Sequence, residues 1–469
     1  MALSRIWAAF IIVSILAAGF QCLFTKRNAD IFNRMVTGKS GDTSQTRSAD
    51  TSLMPATMLQ TLQSGKEYNN GDVKFIKAGN GHYISYKEQN ADGIIATTKS
   101  AVDISINLIG IMALFMGFMS IAERAGGIRL LSKIIGPFFS KLFPELPRNH
   151  PAMGHMLLNF SANLLGLDNA ATPFGIKAME SLQEINPKKD TASNSQIMFL
   201  CLHAAGLTLI PVSIIAVRAS LKAANPTDIF IPCMIATFVA TMAAMLIVSF
   251  KQKINVLQPA ILLWVLSLSA IISLLVIYLK RQSFESVQTF SGILSNGIIL
   301  LIFFCITLGA LYKNINIFDA FVEGARGGFE TAVRIIPYLV GMLVAISMLR
   351  TSGTFDVIVG AMRNLFAAMG ADTRFVNGLP TALIRPLSGS GARGMMIDTI
   401  KTYGPDSFSA SLSSILQGSS DTTFYVIAVY FGAVSIKNTR YAIGAMLLAD
   451  LVGIVTSILL CYLFFGNSL

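Results

Sequence analysis

The chain has 469 residues, is 53% hydrophobic with a mean hydropathy of +0.61, and carries only 13% Asp, Glu, Lys and Arg. Soluble domains average about 25% charged residues, so a water-exposed surface for a chain this long is excluded and a polytopic membrane protein is indicated. The net charge of +11 does not point to nucleic acid, because extra Lys and Arg is ordinary in cytoplasmic loops and no basic helix or aromatic platform accompanies it.

Residues 3–24 form the first apolar run, with Arg5 near its start and Lys26-Arg27 after it. The run is long enough to cross about 30 Å of hydrocarbon. The small Ala17-Ala18-Gly19 also resembles a cleavage site, but a retained helix is the favoured reading. Residues 25–98 are polar and rich in Ser, Thr, Asn and Gly. Within them, 73–86 have strand-type composition around Asn80-Gly81, a favoured hairpin turn. A small β insertion outside the bilayer is expected there.

Further apolar runs lie at 101–122, 194–218, 228–250, 258–279, 288–312, 332–350, 408–436 and 440–466. Stretches 150–180 and 374–400 are apolar but interrupted. Leu165-Gly166-Leu167-Asp168-Asn169-Ala170-Ala171-Thr172-Pro173 breaks the first, and Arg385-Pro386-Leu387-Ser388-Gly389-Ser390-Gly391 breaks the second. Pro and Gly free backbone groups that hydrocarbon cannot satisfy, so such breaks survive only inside protein or beside water. Residues 127–143 and 355–369 read as amphipathic interfacial helices. Cys22, Cys201, Cys233, Cys305 and Cys461 lie in or beside apolar runs with no metal or disulfide spacing.

The chain repeats itself. Ala101-Val102-x-Ile104 and Leu108-x-Gly110 match Ala332-Val333-x-Ile335 and Leu339-x-Gly341. Ala162, Leu167 and Asp168-Asn169 fall on Ala382, Leu387 and Ser388-Gly389, and Gly206 with Ile215-Ala216-Val217 falls on Gly418 with Ile427-Ala428-Val429. With a cytoplasmic N-terminus and both broken stretches re-entrant, equivalent helices run in opposite directions. That arrangement puts about 15 Lys and Arg inside and about 8 outside, leaving out the long 25–98 loop. The fold expected is therefore an all-α polytopic membrane protein of two inverted repeats with re-entrant broken helices, plus a small extracytoplasmic insertion.

Several polar residues inside apolar stretches are candidates for binding a solute or ion. The first break gathers Asn159, Ser161, Asn163, Asp168, Asn169 and Thr172, all able to coordinate a cation or hydrogen-bond a polar solute. They could equally satisfy backbone groups at a kink. The second break carries Arg385, Ser388, Ser390, Arg393 and Asp398; two guanidiniums beside a Ser/Gly loop suit a carboxylate or phosphate, or else pair with Asp398 or Asp168. A third cluster is Gln417, Ser419, Ser420, Asp421, Thr422 and Thr423. A carboxylate inside a membrane segment is expensive and by default suggests function, and Asp421 could take up a proton or a cation, or pair with an Arg. His155 and His203 suit hydrogen-bonded packing better than a proton relay. Asp450 and Glu123 are read as lying near helix ends and rank lower. No GxSxG, Walker A, HExxH or DxD motif is present, so no enzyme, cofactor or metal site is expected.

These same stretches carry a resemblance. His150-Pro151-Ala152-Met153-Gly154, Ser161-Ala162-Asn163, Leu165-Gly166-Leu167 and Asn169-Ala170-Ala171-Thr172-Pro173-Phe174-Gly175 resemble the spore maturation protein A family. Arg385-Pro386-Leu387-Ser388-Gly389-Ser390-Gly391, Lys401-Thr402-Tyr403-Gly404-Pro405-Asp406-Ser407 and Gln417-Gly418-Ser419-Ser420-Asp421-Thr422-Thr423-Phe424-Tyr425 resemble the spore maturation protein B family. The chain looks like a fusion of the two, each of the nucleoside-recognition or Gate superfamily, over about residues 1–34 and 92–469. The resemblance implies a bacterial inner-membrane protein, tied in endospore formers to dehydration of the spore core. The partition expected is a first transmembrane helix (1–24), a polar insertion (25–98), a protein A-like Gate repeat (99–252) and a protein B-like Gate repeat (253–469).

The function expected is a transporter or channel for a small polar or charged solute, with a proton or a monovalent cation as candidate coupling ion. The lipid bilayer is a partner, nucleic acid is not, and a homo-oligomer is compatible with the sequence. The alternative is a non-transporting membrane scaffold for envelope or spore assembly.

Overall fold

A computed structural model describes residues 2–24, 31–49, 56–63, 68–70, 73–77, 83–91, 93–147, 150–164, 168–282 and 284–466. Its helices are α1 (Ala2–Phe24), α2 (Ile31–Thr37), α3 (Ala56–Gln63), α4 (Ile94–Arg124), α5 (Gly127–Leu142), α6 (Pro151–Leu164), α7 (Asp168–Glu184), α8 (Asn194–Ala205), α9 (Val212–Ser220) and α10 (Phe230–Gln252). They continue as α11 (Pro259–Lys280), α12 (Phe284–Tyr312), α13 (Ile317–Thr351), α14 (Thr354–Ala368), α15 (Leu379–Ile384), α16 (Gly389–Tyr403), α17 (Phe408–Gly418), α18 (Thr423–Val426) and α19 (Ala442–Phe465). Among the described residues, seven helices are long and apolar enough to cross a membrane: α1, α4, α10, α11, α12, α13 and α19. This is a multi-pass membrane protein, and the described residues outside its insertion form helices and their connections with no named strand. The large apolar side chains exposed along α11, such as Leu263 and Leu274, are what a lipid-facing helix presents.

The seven exclude two of the expected runs, 194–218 and 408–436, and the reason is local. Helix α8 starts at an N-cap Ser193 that shares a capping box with Gln196, and stops at Gly206 in the left-handed region (φ 64°). Five residues on, Pro211 offers no N–H and α9 begins after it. Helix α17 starts at an N-cap Ser407 and ends before Asp421, whose Oδ1 accepts the Thr422 N–H at 2.6 Å. A side chain that takes a backbone donor in this way competes with the helix. Each run is therefore a pair of half-helices around a break.

The chain forms two compact units. One holds residues 6–101 and 343–360. It contains a four-stranded sheet in the order β1 (Lys39–Ala49), β4 (Tyr83–Ala91), β3 (Val73–Lys77), β2 (Tyr68–Asn70). β3 pairs antiparallel with β4, Lys77 opposite Tyr83, so the two strands expected to flank a hairpin do pair; the Asn80-Gly81 turn lies outside the described residues. In the same unit Ala18 of α1, Ile31 and Met35 of α2, and Met348 of α13 form a small apolar core.

The other unit holds residues 102–342 and 361–469, with the first five residues. Here α4 and α13 run antiparallel with backbones in contact. A Cβ at Gly324 would strike Met116 O and Ser120, and one at Gly328 would lie 2.7 Å from Met112 O. Gly324 and Gly328 form the small-xxx-small spacing that lets membrane helices approach this closely. The two interrupted stretches are helical hairpins, α6–α7 and α15–α16. None of these four helices reaches the roughly 20 residues a span needs.

The two repeats are inverted, and the hydrogen bonds show it. At the start of α8, Ala192 N–H donates to Asn438 O, while Lys437 and Asn438 N–H donate to Asp190 O, beyond the end of the second broken helix. At the start of α17 the ties are reciprocal: Arg218 Nη1 donates to Pro405 O, and Ala224 N–H to the Asp406 carboxylate, at the end of the first broken helix. In the middle, Asp421 N–H donates to Ala204 O at 2.7 Å. Two equivalent helices that meet start-to-end at both tips and break-to-break at the centre are antiparallel.

Candidate functional site

Each hairpin break is pinned to the break of its own following helix. Leu209 N–H donates to Leu164 O at the tip of α6, and Phe424 N–H donates to Pro386 O beyond α15, both at 2.9 Å. Four broken elements thus meet where α8–α9 crosses α17–α18. Gly206 suits the crossing, with φ at 64° and a Cβ there only 3.2 Å from Asp421 N.

On one side of the crossing lies a buried amide–imidazole cluster. Asn159 and Asn163 are four residues apart on α6 and so share a face. Both point at His203 of α8, Asn159 Oδ1 and Asn163 Nδ2 lying 3.0 and 2.8 Å from Nδ1. Asn159 also donates to Ala171 O at 2.7 Å. Tyr430 packs edge-on against the imidazole, centroids 4.8 Å apart, with its hydroxyl bonded to Thr172 and Asn159. Gly175 of α7 makes room, for a Cβ there would collide with the Tyr430 ring and lie 2.9 Å from Asn159 Nδ2.

On the other side lies a charged cluster. Arg385, at the end of α15, donates from Nε (2.8 Å) and Nη2 to Ser420 O, and from Nη1 to Thr422 Oγ1 at 3.3 Å. Asp450 Oδ2 accepts from Thr423 Oγ1 at 2.6 Å, the Ser420 side chain bonds the same carboxylate, and Arg385 faces it electrostatically. Gln417 Nε2 donates to Gly389 O at 3.3 Å. Gly389 is confined too, with Thr422 Oγ1 2.7 Å from where a Cβ would stand.

Asp421 joins the clusters. Its Oδ2 is 3.8 Å from His203 Nε2, and its side chain is 42% exposed while Ser420 and Thr422 on either side are buried. The carboxylate is an open edge of an otherwise packed centre.

Of the residues singled out in the sequence, Asn159, Asn163, Thr172, Arg385, Gln417, Ser420, Asp421 and Thr422 come together here. Ser388 and Ser390 flank Gly389; Ser388 N-caps α16 by accepting from Gly391 N and lies 3.3 Å from Ser390 Oγ. Arg393 sits one turn into α16, half-buried, with partners of its own. Asp168 and Asn169 open α7, and their side chains lie outside the described residues. His155 bonds Ser181 and ties α6 to α7.

Two residues were underrated by sequence reasoning. Asp450 is not near a helix end: it lies well inside α19 and is 4% exposed. Its signal was legible, a lone carboxylate in a 24-residue apolar helix. His203 is hydrogen-bonded as expected, yet it stands at the crossing, between the two Asn of α6, Tyr430 and Asp421.

The comparisons with known proteins bear on this centre. The nucleoside recognition Gate family model matches residues 105–221 and 332–437, the two inverted segments. Spore maturation protein B of Bacillus subtilis (strain 168) is 49% identical over 175 residues, 37% of this chain and 97% of that protein. Spore maturation protein A of the same organism is 42% identical over 156 residues, 33% of this chain and 80% of that protein. No solved structure matches the chain.

Proposed function

The chain belongs to the family of spore maturation proteins A and B, in the manner of a fusion of the two, and we propose from that premise that it is a transporter or channel for a small polar or charged solute in a bacterial plasma membrane. The observation that carries this reading is Asp421, half-exposed where two antiparallel broken helices cross. An isolated carboxylate in hydrocarbon costs several kcal/mol, so a half-exposed carboxylate between two apolar half-helices is by default a group kept for something that binds there. The breaks end two helices, α8 and α17, at the crossing, where Ala204 O of α8 meets Asp421 N–H. Helix C-termini and a carboxylate suit a solute or ion with donors or positive charge, and inverted repeats supply two equivalent halves for alternating access.

Stopped-flow swelling of proteoliposomes in isosmotic sugars, amino acids, nucleosides or phosphate tests the reading across several classes of solute at once. At least one of these should enter faster than into empty vesicles, and Asp421→Asn should remove the difference while the protein stays folded. A scaffold for envelope or spore assembly is the second reading, favoured by the way Arg385, Thr423 and Asp450 satisfy one another. It predicts equal swelling of loaded and empty vesicles for every solute.

A further inference from the structure

The hydrogen bonds around His203 permit a proton count. Asn159 commits its amide nitrogen to Ala171 O, which fixes Oδ1 as the end that faces His203 Nδ1. Turning that amide over would set oxygen against oxygen. An amide oxygen only accepts, so Nδ1 carries the hydrogen. A neutral imidazole has one N–H, and Nε2 is then left with a lone pair. That lone pair faces Asp421 Oδ2 at 3.8 Å. Lone pair against carboxylate is repulsive, and water reaches the pair from the Asp421 side alone, since His203 is 4% exposed. The contact becomes favourable with one more proton on the pair, on Nε2 or on the carboxylate. Asn163 is placed with Nδ2 2.8 Å from Nδ1, and with the hydrogen on Nδ1 a half-turn of that amide would present its oxygen instead.

The other charges facing the pair leave room for that proton. Arg385, beyond α15, faces Asp450 of α19, and Asp421 faces the same carboxylate as a second negative charge, so the cluster around Asp450 sets two carboxylates against that guanidinium. Tyr430 presents its ring edge to His203 with its hydroxyl turned to Thr172 and Asn159, and Tyr425 lies one turn before it. A proton on His203 would balance Asp421, whose carboxylate lies 3.8 Å from Nε2.

We propose that His203 and Asp421 together bind one proton, and that this proton is the coupling ion of the site. The coupling role rests on the transport reading above; the binding of the proton does not. The proton arrives at the exposed edge of Asp421, makes a single O–H or N–H bond, and leaves by the same edge when the crossing opens to the other side.

The proton site is tested with the full chain, labelled with 15N-histidine, in nanodiscs of phosphatidylethanolamine and phosphatidylglycerol. The His203 resonances are identified by their loss in His203→Gln. The expected result is an imidazolium with both nitrogens protonated at low pH, giving way to the Nδ1–H form as pH rises. Asp421→Asn should remove the imidazolium from the range where the wild type shows it. A ring that stays neutral with its hydrogen on Nε2 at every pH would overturn the proposal, and beyond the assignment this readout is made on the wild-type protein. Coupling is read by pH-jump currents from proteoliposomes on a supported membrane: a charge displacement in the wild type, none in Asp421→Asn or His203→Gln. Solute swelling with no wild-type pH-jump current would overturn proton coupling and leave transport standing. A pH-jump current with no swelling would leave the proton site standing and count against transport.

Discussion

Arg385 is the residue whose loss should cost the fold most at the crossing. Its guanidinium gives two N–H groups to Ser420 O and one to Thr422 Oγ1, and its charge faces the buried Asp450. A hydrogen bond involving a charged group is worth about 1.5–3 kcal/mol, and stripping the partner from a buried charge costs about 3–5 kcal/mol. Since two of the three bonds share one acceptor, Arg385→Ala should lose about 3–5 kcal/mol rather than the sum. Arg385→Lys keeps the charge, but one ammonium cannot deliver two parallel N–H groups to Ser420 O and still reach Thr422, so it should lose about 1–3 kcal/mol. Chemical denaturation in mixed micelles measures both. Adding Asp450→Asn to Arg385→Ala should recover part of the loss, because the orphaned carboxylate is gone. Arg385→Ala within about 0.5 kcal/mol of wild type, a typical surface change, would refute the reasoning.

Gly175→Ala places a methyl where the Tyr430 ring and Asn159 Nδ2 now lie, so it should destabilise by about 1–3 kcal/mol and shift the His203 resonances; unchanged resonances would mean the cluster is loose. Arg218 is fully buried and donates to Pro405 O and Asp228, so Arg218→Met should cost about 3–5 kcal/mol by leaving Asp228 without its charge partner, read by the same denaturation assay. The insertion should lie outside the cytoplasm: a Cys placed at Ser64 should react with an impermeant thiol reagent applied to intact cells, and protection would reverse the membrane orientation.

The starts of the hairpin breaks were readable in the sequence: α6 ends at Leu164 and α15 at Ile384, each one residue before its motif begins, but both motifs overrun on the far side, since Asp168 to Pro173 belong to α7 and Gly389 to Gly391 to α16. The amphipathic helices α5 and α14 match their expected limits within about one residue because each has a periodic apolar face. The breaks in α8–α9 and α17–α18 were harder. Leu207, Leu209 and Ile210 keep the first break apolar, so hydropathy runs straight through it, and only Gly206 aligned with Gly418 hinted at a shared feature. Inversion of the repeats could be argued from helix counting, but the reciprocal ties of Asp190 with Asn438 and of Arg218 with Pro405 join residues more than 180 positions apart. No local pattern encodes such pairs. The same holds for His203 and Asp421, whose meeting depends on where two broken helices cross.

The central claim is that the crossing at Asp421 opens in turn to each side of the membrane. The direct measurement is the accessibility of a single cysteine at that position, Asp421→Cys, with Cys22, Cys201, Cys233, Cys305 and Cys461 replaced by Ala or Ser. The protein is reconstituted in vesicles of known orientation, and an impermeant thiol reagent is applied from outside or enclosed within. The account predicts labelling from both faces, with reagent on one face protecting against later labelling from the other. Labelling from one face only, under every solute and pH tried, would contradict it.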